Sequence, residues 1–251
     1  MNNNKRLWER LGKNDPYFSV ATFDKFRSEN LNESLKSEFF LTGEDYIARI
    51  WDEIEGWLRR PLRPKIALDF GCGVGRLLPP LASRAERVTG VDVSQGMLEE
   101  AKKNFQERST ANVNFLLTDE FLKDNETYEF IHSTIVFQHI RPSVGIKILS
   151  NILKKLEVGG VGCIQLTYHV PLKGLAALKF RLNRDVPYAF KFRKFLTGKS
   201  KEEFIPIYEY DLNRIVELLR INDCHNCLLR FSHHGAEGVV FIFEKKALPM
   251  C

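Results

Sequence analysis

Residues 65–75, Lys65-Ile66-Ala67-Leu68-Asp69-Phe70-Gly71-Cys72-Gly73-Val74-Gly75, decide the fold. The apolar run predicts a short buried strand, and the alternating glycines predict a tight turn into a helix. Glycines at such a turn let the backbone approach a ligand and leave amides free at the helix start. A dinucleotide loop would place a third glycine at position 76, where Arg76 stands, and no Gly-Lys-Ser/Thr follows to make a phosphate loop.

Downstream, strands and helices alternate. Arg87–Asp92 reads as a second strand, Ser94 as the cap of a helix through Phe105, and Asn112–Leu117 as a third strand. Tyr128–Val136 reads as a fourth strand, Ser143–Leu156 as a helix, and Gly159-Gly160 as a turn into a fifth strand, Val161–Tyr168. This alternation predicts a parallel sheet covered on both faces. After a helix at Tyr210–Ile221, two strands, Cys227–Ser232 and Gly238–Glu244, are joined by a short link that suits an antiparallel pair. Upstream, residues 1–63 read as a helical extension. Leu7, Trp8 and Leu11 share a helical face, Asn14-Asp15-Pro16 breaks it, and a second helix runs from Thr42 or Gly43 to Leu58.

Acidic residues close the strands in order. Asp69 ends the first, Asp92 the second, and Asp119 follows the third. In a parallel sheet these ends share one edge, where ligands of open α/β sheets bind. A carboxylate at 92 can accept both hydroxyls of a ribose, and one at 119 an adenine amino group. Each acid alone would also suit a helix cap or a solvated loop.

These stretches resemble the class I S-adenosylmethionine-dependent methyltransferases. The resemblance runs through Ala67–Gly75, Gly90-Val91-Asp92-Val93-Ser94-Gln95-Gly96-Met97-Leu98, Leu117-Thr118-Asp119-Glu120, Ile135–Ile140 and Leu153–Gly160. It covers residues 64–168 closely and the C-terminal helix and hairpin loosely. It implies a Rossmann-like seven-stranded sheet with the last strand antiparallel, in a domain spanning 64–251 with a cap insertion at about 170–208. It implies S-adenosyl-L-methionine as cofactor. The loop Gly71, Cys72, Gly73 and Gly75 would pack on its methionine part, with Asp69 near the amino group and Arg76 near the carboxylate. Asp92 would hold the ribose, Val93 and Met97 would flank the adenine, and Asp119 and Glu120 would sit at its rim. Thr134, Ile135 and Val136 would line the reaction centre.

The acceptor is less legible. A base is needed only if the acceptor must lose a proton. His139 and His169, just after the fourth and fifth strands, are the candidates, with His132 behind them. Thr134-Ile135-Val136-Phe137 stands where amino-group methylases of nucleobases carry Asn/Asp-Pro-Pro-Tyr/Phe. Gln138-His139 stands where some quinone-type O-methyltransferases have Glu-His, and a glutamine is a poor ligand for a hard cation, so no catalytic metal is expected. Cys224-His225-Asn226-Cys227 lacks the second pair that a zinc site needs. Asp15-Pro16-Tyr17-Phe18-Ser19-Val20 suggests a lid, with Tyr17 or Phe18 over a sulfonium, or else an aromatic anchor for the first helix.

The net charge of +5 is not spread over the chain. Residues 1–63 carry 11 basic and 11 acidic side chains, residues 64–169 carry 12 and 12, residues 170–208 carry 9 and 3, and residues 209–251 carry 5 and 6. A chain-wide basic footprint for nucleic acid is therefore missing. The surplus lies where Leu172, Leu175, Leu178, Leu182, Phe190, Phe192 and Phe195 mix with basic residues. That segment suits a cap over a small, anionic acceptor, an amphipathic helix with a solvated face, or a peripheral membrane contact. The scattered cysteines at 72, 163, 224, 227 and 251, with no apolar leader or membrane-length run, fit a soluble cytoplasmic protein. The leading expectation is O-methylation of a small molecule. The alternatives are an N-methyltransferase, an RNA or protein methyltransferase, or a non-catalytic cofactor-binding partner subunit.

Overall fold

The computed structural model describes residues 3–107, 112–186 and 204–247. At its centre is β1 (Ile66–Phe70), flanked by β2 (Arg87–Asp92) and β4 (Tyr128–Ser133). With β3 (Val113–Leu117), β5 (Leu156–His169), β6 (Asn226–His233) and β7 (Glu237–Glu244) they form one seven-stranded sheet in the order β3-β2-β1-β4-β5-β7-β6. The pairs among β1 to β5 are parallel, and β7 inserts antiparallel between β5 and β6. The sheet expected from the sequence is thus the one formed.

The strands at its centre are apolar because both faces are covered. One face packs Leu68, Phe70, Ile131, Ile164 and Phe241 with α7 (Pro142–Lys155) and α9 (Leu212–Arg220). The other packs Ala67, Val88, Phe130 and Ile242 against α3 (Glu33–Leu58), α4 (Leu78–Ala82) and α5 (Gln95–Glu107). Each fully buried Leu, Ile or Phe contributes roughly 1.5–3 kcal/mol.

Several elements differ from their sequence readings, and three of the differences have a clear physical reason. α3 begins at Glu33, about ten residues early, because the Asn32 side chain caps it by accepting from Leu35 N–H (3.0 Å) and Phe39 and Phe40 bury with it. α4 begins only at Leu78, since Pro79 and Pro80 fit a first turn but could not donate within a helix that began earlier. Gly159-Gly160 does not precede β5 but lies inside it. Between the pairs Tyr128↔Leu156 and Phe130↔Val161 the extra residues bulge out, with Gly159 at φ 83°.

The N-terminal segment is not a separate layer. α1 (Asn3–Asn14) and α2 (Pro16–Val20) fold back over the carboxyl edge of the sheet, where Leu7, Leu11 and Tyr17 pack with Val74 and Met97. α8 (Gly174–Asp185) follows β5 and has no buried residue. Of the expected cap, residues 187–203 lie outside the described residues, as do Phe190, Phe192 and Phe195.

Candidate active site

The carboxyl ends of β1, β2 and β4 open into a cavity of about 440 Å3. Its floor is Asp69, Phe70, the loop Gly71–Gly73, and Thr134-Ile135-Val136. Arg76, Asp92, Val93, Met97 and Asp119 also line it, as do the apolar Ile140, Val144 and Ile148. Asn4, Lys5, Trp8, Ser19 and Val20 of the N-terminal helices close over it.

Strand register brings the first set together. β1 and β4 pair Asp69 with His132, so the buried His132 Nδ1–H donates to Asp69 Oδ1 at 2.8 Å. The Tyr46 hydroxyl lies 3.2 Å from the other ring nitrogen. Asp69 Oδ2 is buried without a partner among the described residues, and so is Arg76 Nε. Arg76 Nη1–H donates to Thr42 Oγ1 (3.2 Å), and burial lowers the guanidinium's pKa. An unsatisfied carboxylate oxygen and an unsatisfied guanidinium N–H lining the same cavity suit a ligand that carries both an ammonium and a carboxylate.

Asp92 fastens the loop. Its Oδ2 accepts Gly73 N–H (3.0 Å) and its Oδ1 accepts Ser94 N–H (2.9 Å), which leaves lone pairs on both oxygens. Burial pushes its pKa up to about 6, with the backbone N–H groups opposing the shift. The expected Ser94 cap is present, its Oγ accepting Met97 N–H at 3.2 Å. Gly73, at φ 54°, faces Val20, and a Cβ there would lie 2.7 Å from Val20 Cγ2. Cys72 lines the cavity, but burial pushes its thiol well above the ordinary range, so it remains protonated.

Several expected site residues stand elsewhere. Gly75 packs against α5, where a Cβ would meet Phe105 and Ala101, and does not line the cavity. Glu120 turns back to accept Leu117 N–H (2.8 Å). Asp119 does line the cavity but is ion-paired with Lys5 (2.9 Å), whose hydrogen bond and charge lower its pKa. Tyr17 is not a cover. Its ring is buried edge-on to Phe39, and its hydroxyl lies 2.9 Å from Glu100 Oε1 and 2.7 Å from Asn104 Oδ1. Phe18 stacks under the Arg27 guanidinium at 3.7 Å. Trp8 is the aromatic ring over the cavity, missed because its spacing with Leu7 and Leu11 signals only a packed helix face.

The two histidine candidates separate. His139 lines the cavity, with Trp8 edge-on at 5.3 Å. Burial lowers its pKa to about 4. His169 is exposed beside Glu209 (3.6 Å) and does not line the cavity, because the pairing of β5 with β7 slips between Thr167 and His169. α8 contributes nothing to the cavity wall either. Cys224 and Cys227 donate their thiols to the carbonyls of Asn222 and Cys224. Among the described residues no group of three or more His, Cys, Asp or Glu side chains is placed to hold a metal ion, and no helix is long and apolar enough to cross a membrane.

A mixed sheet of this order, with a glycine loop after β1 and an acid at the end of β2, defines the class I methyltransferase fold. Residues 67–160 match the family model described as a methyltransferase domain. The chain is 26% identical over 149 residues to the ubiquinone biosynthesis O-methyltransferase of Pelagibacter ubique (strain HTCC1062), covering 59% of this chain and 55% of that protein. It is 29% identical over 134 residues to the malonyl-[acyl-carrier protein] O-methyltransferase of Acetivibrio thermocellus, covering 50% and 46%. The chain thus spans about half the length of these relatives. The crystal structure of magnesium protoporphyrin IX methyltransferase from Synechocystis PCC 6803 with bound SAM superposes with a TM-score of 0.60 at 16% identity, covering 98% of this chain and 99% of that one.

Proposed function

We propose that the protein transfers a methyl group from S-adenosylmethionine to an oxygen atom of a small, largely apolar acceptor. The observation that carries this reading is the pair of unsatisfied buried groups, Asp69 Oδ2 and Arg76 Nε, on the wall of a cavity floored by the glycine loop. The cofactor supplies an electrophilic sulfonium methyl. In this reading Asp69 accepts the ammonium of its methionine part and Arg76 donates to the carboxylate. Asp92 offers its remaining lone pairs to the ribose hydroxyls, and Val93 and Met97 flank the adenine. Thr134, Ile135 and Val136 bound the space where the acceptor oxygen must approach in line, so that positioning supplies much of the rate.

The acceptor reading rests on the apolar part of the cavity lining, Trp8, Ile140, Val144 and Ile148, with Lys147 as a cation in the same lining. The relatives named above as O-methyltransferases support oxygen as the methylated atom. Calorimetry with S-adenosylhomocysteine tests the cofactor half. Release of S-adenosylhomocysteine across a panel of phenol, carboxylate, amine, RNA and protein acceptors tests the rest. Turnover confined to amines or RNA would overturn the acceptor class, and binding without turnover on any acceptor would favour a partner-subunit role.

The described part of the basic segment, α8, lies away from the cavity wall, and we propose a surface role for it. On α8, Leu175, Leu178 and Leu182 face outward at helical spacing, flanked by Lys173, Lys179 and Arg181. This pattern suits peripheral contact with an anionic lipid surface. Sedimentation with vesicles containing phosphatidylglycerol should carry the protein down at low salt and release it at high salt, and equal sedimentation with uncharged vesicles would refute charge recognition.

A further inference from the structure

Beneath the cavity floor runs a chain of hydrogen bonds whose two ends fix its direction. At one end Ile135 N–H, which can only donate, reaches Gln165 Oε1 at 3.1 Å. That orients the Gln165 amide, whose Nε2 lies 3.5 Å from Thr167 Oγ1. The Thr167 hydroxyl donates to Gln138 Oε1 at 3.0 Å, which turns Gln138 Nε2–H toward His139 Nε2 at 3.1 Å. At the other end His139 Nδ1 faces the Pro206 carbonyl, which can only accept, at 2.9 Å. The protons are therefore ordered throughout. His139 carries its proton on Nδ1, and its Nε2 lone pair receives the Gln138 amide. Gln165, Thr167 and Gln138 are all buried, so a misdirected amide would leave a donor facing a donor in a dry site.

The first member is also strained. Ile135 has φ 59°, a left-handed conformation that a β-branched residue rarely adopts, and it lines the cavity between Thr134 and Val136. Its N–H is anchored by Gln165 and by nothing else in this chain of bonds.

We propose that Gln138, Thr167 and Gln165 are positioning residues, holding the Ile135 peptide at the reaction end of the cavity and locking His139 as the Nδ1–H tautomer. His139 then serves as a fixed wall under Trp8 and not as a general base, since both ring nitrogens are engaged. The tautomer assignment stands whatever the cavity binds, and only its bearing on methyl transfer rests on the function proposed above. The ring touches Trp8, Gln138 and Pro206, and the charged side chains along the same cavity are Lys5, Asp69, Arg76, Asp92, Asp119 and Lys147.

The test is 15N NMR of the cofactor-free full chain with labelled histidine. In the unaltered protein His139 should show a single tautomer with the proton on Nδ1 and no titration between pH 5.5 and 8. Gln138→Glu removes the amide donor and presents an acceptor, so the Nε2 site should gain a proton, with proton affinity rising roughly 10- to 100-fold. Thr167→Val should free the Gln138 amide to turn while Pro206 keeps the proton on Nδ1, and should weaken S-adenosylhomocysteine binding roughly 3- to 10-fold, the loss of about one buried hydrogen bond. Thr167→Ser should restore the binding. A proton on Nε2 in the unaltered protein, or an unchanged tautomer and titration in Gln138→Glu, would overturn the proposal. If a variant does not fold, the spectrum of the unaltered protein still decides the tautomer. Failure to bind S-adenosylhomocysteine with the expected spectrum intact would count against the proposed function and not against the bond chain.

Discussion

Lowering the pH from 8 to 5 should weaken cofactor binding through Asp92. Its carboxylate is drawn into the loop by Gly73 N–H and Ser94 N–H, and burial raises its pKa from 3.8 to about 6. The ribose hydroxyls need acceptors, and the ionised form supplies them. Near pH 6 half of the sites are ionised, so the affinity should fall about twofold there and about tenfold at pH 5, a factor of ten for each further unit of pH. The stability of the cofactor-free protein should move the other way. Because the folded pKa lies above the unfolded value, this carboxyl stabilises the fold fully below pH 3.8, and that contribution is lost as the pH rises through 6. The loss amounts to no more than roughly 3 kcal/mol at pH 7. Calorimetric titration with S-adenosylhomocysteine at four pH values, on the unaltered protein and on Asp92→Asn, measures the effect. The variant should bind more weakly at pH 8 and show a flatter profile. Affinity that is equal at pH 5 and pH 7 in the unaltered protein, or an identical slope in the variant, would refute the assignment of the ribose to Asp92.

Gly73→Ala must hold a Cβ at φ 54° and within 2.7 Å of Val20 Cγ2. Thermal unfolding should register a loss of roughly 1–3 kcal/mol, with weaker cofactor binding as the loop shifts. Tyr17→Phe removes the hydroxyl between Glu100 and Asn104 and should lower stability by about 1–3 kcal/mol while leaving the sulfonium environment alone. A selective loss of cofactor affinity at unchanged stability would revive a covering role for that ring. Asp69→Asn should weaken binding of S-adenosylhomocysteine at least tenfold, because an uncharged amide replaces the acceptor for the ammonium and for His132 Nδ1–H. Lys147→Met should raise KM for an anionic acceptor roughly two- to fivefold and leave a neutral one unchanged, as exposed charge pairs are weak.

The strand ends were legible because their signals are local. An apolar run broken by Gly71, Gly73 and Gly75, an acid at 92 and a cap at Ser94 are readable over a few residues, and β2 spans Arg87–Asp92 just as its pattern implies. Alternation of strands and helices then fixed which ends share an edge, which is why Asp69, Asp92 and Asp119 all meet one cavity. Gly75 and Glu120 fit the same patterns yet serve packing and a helix end, because a motif position does not specify which way its group points.

What the chain settled alone was the order of the elements, the glycine loop and the acids that close the strands, all consequences of backbone sterics and hydrophobic period. Only the tertiary structure decided the partners. His132 meets Asp69 through the register of two strands 63 residues apart in sequence. A slip of β5 on β7 at Thr167/His169 leaves His169 outside the site, while Thr167 is turned inward toward Gln138. The turn at Pro16 buries Tyr17 and brings Val20 over the loop, so Trp8 covers the cavity in its place. These outcomes depend on long-range packing and on satisfying buried hydrogen bonds, which neighbouring residues in sequence cannot encode.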